Sequence, residues 1–164
     1  MPSLIVRQNL VTGNRTAVLD SGTNRLLSAS LSHDDRWLAI AVGRPDGKAA
    51  IYVVPVRDRP VPEKEWVLIC EDDHYLSSPK WSPNGKLLYY LSERSGECRI
   101  WAQPFDPAGG KPLGAVFTVF RPNSTRLSMN TPAGNGALGI APGRLIFYMA
   151  EGSGNIYMAT PKPR

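Results

Sequence analysis

Three features of this 164-residue chain predict an all-β fold made of small antiparallel sheets stacked face to face. A grammar of turn, apolar run, glycine hairpin and aromatic residue recurs along the chain, which marks an array of like units. The apolar runs do not alternate with polar residues, so both faces of those strands are expected to be dry. No heptad or sustained amphipathic helical period is present, while 15 Gly and 15 Pro supply turns, so very little helix is expected. Antiparallel strands without crossover helices are covered on both sides when blades pack around an axis, which is the arrangement of a β-propeller.

The elements follow in order. Residues 4–22, "LIVRQNLVTGNRTAVLDSG", read as two apolar strands around a Thr12-Gly13-Asn14 turn, the third and fourth strands of a partial blade. The first full copy, "LSHDDRWLAIAVGRPDGKAAIYVVPV" (31–56), lies in a blade predicted over 27–70, and the second, "WSPNGKLLYYLSERSGECRIWAQPF" (81–105), in a blade predicted over 78–120. At an offset of 50, Ser32 meets Ser82, Leu38 meets Leu88 and Arg44 meets Arg94; after a one-residue gap Ile51 meets Ile100. A third, shorter copy, "IAPGRLIFYMAEGSGNIYMA", lies in a partial blade predicted over 137–160.

Each copy opens with a reversing turn (His33-Asp34-Asp35, Pro83-Asn84-Gly85, Pro142-Gly143) and one basic residue, Arg36, Lys86 or Arg144. The runs "WLAIAV", "LLYYL" and "LIFYMA" are then expected to touch protein on both flanks. Gly hairpins at Pro45-Asp46-Gly47, Ser95-Gly96 and Ser153-Gly154 lead into the third strand, and outer strands are expected near 65–70 and 115–120. The count is about three blades. Since a closed ring has four to eight blades, the partial propeller is expected either to belong to a longer one or to be completed to six blades by a second copy, a homodimer.

The quoted copies resemble the WD-like repeats of TolB-type β-propellers, with a Ser-Pro-Asn-Gly-Lys turn, an apolar strand, a Ser-x-Arg-x-Gly hairpin and an Ile-Tyr or Ile-Trp opening the third strand. The tail is similar to the C-terminal propeller ends of certain bacterial multidomain proteins. The resemblance implies a propeller module with a binding, sensing or scaffolding role. The first copy departs from the pattern with His33-Asp34-Asp35, and the last is one residue short at Ala141-Pro142-Gly143, so no residue-specific function transfers.

The remaining chemistry is sparse. "GNGALG" (134–139) fits GxGxxG in letters, but Pro132 before it and Pro142-Gly143 after it leave no helix to receive a phosphate. No GxSxG, HExxH or Cys–His arrangement occurs, and no catalytic residue, metal site or cofactor is assigned. Glu71-Asp72-Asp73-His74 is read as a solvated inter-blade loop rather than a cation site. Trp37, Trp66, Trp81, Trp101 and the tyrosines in strand runs, Tyr148 among them, are read as core. Cys70 and Cys98 form no disulfide framework and lack metal spacing, and whether they pair stays open.

The net charge of +5 is spread singly along the chain, which makes a nucleic-acid surface a weak alternative. No apolar run reaches the ~18 residues of a membrane span, and the opening "MPSLIVRQNL" lacks a signal-peptide pattern. The chain as given is therefore expected to be soluble, in either periplasm or cytoplasm. The function expected is a non-catalytic protein-interaction, ligand-sensing or scaffolding surface of a bacterial protein. An accessory propeller gating a hydrolase domain encoded alongside it is the main alternative. Arg44, Asp46, Glu93 and Arg94 in the second-to-third-strand hairpins, with Asp72, Asp73 and His74 in the inter-blade loop, are the candidate binding residues, because charge recurs there at equivalent loop positions.

Overall fold

The computed structural model describes residues 4–123, 127–129 and 138–151. The strands are β1 (Leu4–Gln8), β2 (Arg15–Asp20), β3 (Arg25–Leu31), β4 (Trp37–Gly43), β5 (Ala49–Pro55), β6 (Val67–Asp72), β7 (Leu76–Trp81), β8 (Leu87–Ser92), β9 (Arg99–Asp106), β10 (Lys111–Pro112), β11 (Phe117–Phe120), β12 (Leu127–Ser128), β13 (Leu138–Ala141), β14 (Arg144–Phe147) and β15 (Ala150–Glu151). The helical content of the described residues is a single 3-10 turn, Glu63–Glu65, ahead of β6.

Two antiparallel blades run β3-β4-β5-β6 and β7-β8-β9-β11, with β10 a short extension on the end of β9. The hairpin β1-β2 precedes them and the hairpin β13-β14 follows; β12 pairs with β15. The outer strands sit two residues later than expected, at Val67 and Phe117, because the connections before them take a 3-10 turn or the β10 ribbon.

The turns opening the two full copies are built identically although their residues differ. Ser32 Oγ donates to Asp34 Oδ1 (2.7 Å) and accepts from the Trp37 amide (2.9 Å); Ser82 Oγ donates to Asn84 Oδ1 (2.8 Å) and accepts from the Leu87 amide (2.9 Å). The Asp35 and Gly85 amides donate to the Ser32 and Ser82 carbonyls, and both residues are left-handed, at φ 57° and 69°. These serine-centred reversals aim β4 and β8 into the stack.

Non-alternating strands have two dry faces here. In β4, Leu38, Ile40 and Val42 pack with Val18 and Leu19 of β2, while Ala39 and Ala41 pack toward Leu76, Trp81, Leu88, Tyr90 and Phe105 of the next blade. In β8, Leu88 and Tyr90 face back to the first blade, and Tyr89 and Leu91 face forward to Met129, Leu138 and Leu145. Each fully buried Leu, Ile or Val contributes about 1.5–3 kcal/mol, so these strands hold the stack together. Trp81 Nε1 donates across the blade interface to the Ser30 carbonyl (3.1 Å), and Trp37 Nε1 donates to the Pro107 carbonyl (3.0 Å). Both indoles meet Phe105 edge-on. Gly110, at φ 66°, passes so close over Trp37 that a Cβ would lie 2.2 Å from the ring.

The third apolar run departs from expectation. Leu145 and Phe147 pack against the second blade, but Ile146 is 71% exposed, and Tyr148 and Met149 are exposed rather than core. The run therefore has one dry face, that of Leu145 and Phe147. The expected Ser153-Gly154 hairpin, the strand at Ile156-Tyr157 and residues 134–137 of "GNGALG" lie outside the described residues.

Candidate binding face

The blade topology carries the hairpins β4-β5 and β8-β9 and the link β6-β7 to the same end of the stack. Arg44 through Lys48 close the first hairpin, with the Arg44 amide donating to the Lys48 carbonyl (2.8 Å) and Gly47 at φ 86° taking the left-handed position. Glu93 through Gly96 close the second, with Gly96 at φ 88°. The link is drawn in when the Glu93 amide donates to the Tyr75 carbonyl (3.1 Å). The His74 amide donates to Asp72 Oδ1 (3.1 Å) and turns the chain at the link itself.

Glu71 and Asp72 are not in the solvated loop the sequence suggested: they end β6, in register with Ala50 and Ala49, and only Asp73 and His74 lie in the link. The predicted residues form two adjoining clusters. In the first, Arg44 bonds Glu71 and lies 3.4 Å from Asp46, and Lys48 reaches Glu71 (3.0 Å) and Asp73 (4.0 Å). Asp46 and then Glu71 raise the Arg44 pKa, and the bond to Glu71 raises that of Lys48. In the second, Asp72 meets His74 Nδ1 (3.1 Å), Ser92 Oγ (3.3 Å) and Arg94 Nε (3.6 Å). Burial opposes ionisation of Asp72, but the His74 hydrogen bonds, the Arg94 charge and Ser92 outweigh it and hold the carboxyl below its ordinary range.

Arg94 bridges the blades. Its guanidinium bonds Cys70 Sγ of the first blade, lies 3.4 Å from Tyr90 Oη, and stacks 5.0 Å from the Trp101 ring centroid. Desolvation pushes the Cys70 thiol and the Tyr90 phenol up, so both are neutral donors or acceptors beneath the cation. Both cysteines are free and buried, Cys70 between the two blades and Cys98 between the second blade and β13-β14.

Thus Arg44, Asp46, Asp72, Asp73, His74 and Arg94 share the end of the stack where Glu93 also lies. Asp73 and His74 project furthest, their side chains 75% and 60% exposed. Lys48 was not singled out in the sequence, and Glu71, Cys70 and Tyr90, read there as loop, thiol and core, were not assigned to this face. Lys48, an opposite charge two residues from Asp46, and Glu71, next to Asp72 in the acidic run, carried a usable signal; the Cys70–Arg94 contact depends on strand register across two blades and has none. Among the described residues no group of three or more His, Cys, Asp and Glu side chains converges as a metal would require, since Glu71 turns to cations and Asp72 to His74, Ser92 and Arg94.

The described architecture is an open, partial β-propeller. No family model matches the chain. A 64-residue stretch, 37% of the chain, is 34% identical to the Tol-Pal system protein TolB of Anaeromyxobacter sp. (strain K) and equally to that of Anaeromyxobacter dehalogenans (strain 2CP-C), covering 15% of each. Among solved structures, TolB from Acinetobacter baumannii aligns over 92% of this chain and 38% of its own, with a TM-score of 0.52 and 17% identity. The β-propeller domain of the Trilobed protease from Pyrococcus furiosus, described as having an open velcro topology, aligns over 74% of this chain and 36% of its own, with a TM-score of 0.52 and 15% identity. The chain therefore spans well under half the length of each of these proteins, and it has a TolB-like β-propeller fold. No described helix is long and apolar enough to cross a membrane.

Proposed function

We propose that the chain is a non-catalytic protein-interaction module of a bacterial protein, whose binding face is the charged end built by the β4-β5 and β8-β9 hairpins and the β6-β7 link. The observation that carries this reading is that assigned residues from three separate segments meet at one end, with Asp73 and His74 projecting beside a network of ion pairs. Preorganised loops on a stiff scaffold lose little entropy on docking, which suits partner recognition. The partial likeness to a Tol-Pal system protein supports a partner in a bacterial envelope assembly.

A nucleic-acid role fits less well. Arg7, Arg36, Arg44, Lys48, Arg57, Arg94 and Arg99 each lie in an ion pair, which leaves no basic stripe built from them. The test is proximity cross-linking from the β6-β7 link in bacterial cells, repeated with Asp73→Ala/His74→Ala. The expected result is a discrete protein partner whose binding by the purified chain weakens in the double variant while its thermal melt is unchanged. Unaltered affinity for every partner identified would remove this face from the proposal.

A further inference from the structure

The end of the stack opposite the candidate binding face is made by the β1-β2 tip (residues 9–14), the serine-centred turns before β4 and β8, residues 56–60 after β5 and the ribbon around β10. These segments adjoin. The Val56 amide donates to the Arg36 carbonyl (2.8 Å), Arg7 pairs with Asp58, Trp37 reaches the Pro107 carbonyl (3.0 Å), and the Phe105 amide donates to the Lys86 carbonyl (2.8 Å). His33 and Asp34 face Pro83, Asn84 and Gly85 across a cleft of about 290 Å³.

The tip is a closed turn with apolar side chains at its centre. Asn9 Oδ1 accepts from the Val11 and Thr12 amides (both 2.9 Å), the Gly13 amide donates to the Asn9 carbonyl (2.8 Å), and Gly13 is left-handed at φ 74°. The backbone of the turn is thus held by its own bonds, while Leu10 and Val11 are 92% and 95% exposed. Both stand on the turn rather than on a strand face, since β1 ends at Gln8 and β2 begins at Arg15.

The surroundings of the tip are basic. No Asp or Glu precedes Asp20 in the chain, and Arg15, whose Nε donates to Gln8 (3.1 Å), has no counter-charge on its hairpin. Asp34, Asp58 and Glu65 are paired with Arg36, Arg7 and Arg57. Arg15, Arg59, Lys86 and Lys111 are left exposed and outside any ion pair among the described residues, against Asp35 and Asp106. Asn84 stands in the second turn where Asp34 stands in the first, so Lys86 lacks the partner that Arg36 has. At the candidate binding face, by contrast, Arg44, Lys48 and Arg94 are all held by Asp46, Glu71 and Asp72.

We infer that this end adsorbs to an anionic lipid surface, with Leu10 and Val11 entering the apolar boundary of the leaflet and Arg15, Arg59, Lys86 and Lys111 meeting its phosphate headgroups. An apolar point backed by cations matches a layer that is apolar beneath a negative surface, and adsorption draws on both the buried apolar area and the surface charge. A nucleic acid would engage the cations and leave Leu10 and Val11 in water. The candidate binding face, at the other end, stays open to a protein partner while the chain is adsorbed.

The experiment is co-sedimentation of the purified chain with vesicles of phosphatidylglycerol and phosphatidylcholine in equal parts, or of phosphatidylcholine alone, in low and high salt. Binding is expected to the mixed vesicles only, and weaker in high salt. Lys86→Gln/Lys111→Gln is expected to weaken it about 30-fold, through the loss of two cations near a charged leaflet. Leu10→Ser/Val11→Ser, which leaves the charge unchanged, is expected to weaken it about 10-fold or more. All four side chains are exposed, so the thermal melts should match wild type. A Val11→Cys variant accepts an environment-sensitive thiol label selectively, because Cys70 and Cys98 are buried, and its emission is expected to shift to the blue on the mixed vesicles. No binding, equal binding to both kinds of vesicle, serine variants that bind as wild type does, or a label that stays in water would each overturn the inference. So would retention on duplex DNA in place of vesicles, dependent on the lysines and indifferent to Leu10 and Val11.

Discussion

Asp35 and Gly85 occupy the same left-handed corner of equivalent turns, and the two copies answer the same steric demand differently. A left-handed backbone costs an L-residue about 1–2 kcal/mol, and the greater freedom of unfolded glycine takes back about 0.4–1 kcal/mol, so Asp35→Gly should stabilise and Gly85→Ala should destabilise, each by about 0.5–1 kcal/mol. Urea melts of the two variants, with unchanged slopes, check the opposite signs. One position earlier, Asp34 and Asn84 make the same bonds to serine and to the backbone, but Asp34 also pairs with Arg36 Nε at 2.7 Å. The Ser32 hydroxyl and the Arg36 guanidinium hold the Asp34 carboxyl down to about 2, against an ordinary value of 3.8. Its folded pKa lies below its unfolded one, so the stabilisation is complete above about pH 4 and is lost as pH falls from 3.8 through 2. Asp34→Asn keeps the turn and should lower stability at pH 7 by less than about 1 kcal/mol, because the pair is exposed. The gap between variant and wild type should close between pH 4 and pH 2, which denaturation at stepped pH would read.

At the scale of the strand and blade, the indole clamps carry the inter-blade contacts. Trp81 is 2% exposed, packs 5.2 Å from Phe105 and hydrogen-bonds the Ser30 carbonyl of the preceding blade. Truncation to alanine should cost about 3–5 kcal/mol. Trp81→Phe should keep most of the packing and lose about 1–3 kcal/mol through the unpaired carbonyl. If the two variants melted alike in urea, the hydrogen bond would have no separate role. The strands themselves were legible because unbroken runs such as Leu38 to Val42 admit no solvent face, and the Ser32 and Ser82 turns announce where they begin. The exposure of Ile146 was not legible: "LIFYM" reads like "LLYYL", and whether a face is wet depends on what stands opposite it rather than on its own residues. The charged end was half legible for the same reason. Hairpin position fixes that Arg44 and Arg94 meet the inter-blade link, whereas the Arg94 contact with Cys70 emerges only from the register of two sheets.

For the whole molecule, the stack behaves as a linear array in which each layer is stabilised by its neighbours, so layers with a neighbour on both sides should open last. The two buried thiols report on different layers. Cys70 lies between the full blades, beneath Arg94, in a cluster that includes Trp81 and Phe105; Cys98 lies one interface further along, in a cluster closed by Met129, Leu138 and the single-sided hairpin β13-β14. Burial pushes the Cys98 thiol up to about 12 and also raises Cys70, so neither should react while its interface is closed. Labelling through local opening therefore measures the opening free energy of each interface, provided closing outpaces the reagent. In sub-denaturing urea Cys98 should label well before Cys70, and mass spectrometry of the peptides would resolve the order. Cys70 needs separation of two four-stranded sheets joined by Trp81, Phe105 and the Arg94 bridge, whereas Cys98 needs only departure of a two-stranded hairpin whose outer face is already wet. Reversal of that order, or equal rates at all urea concentrations, would mean that the chain opens as one cooperative unit.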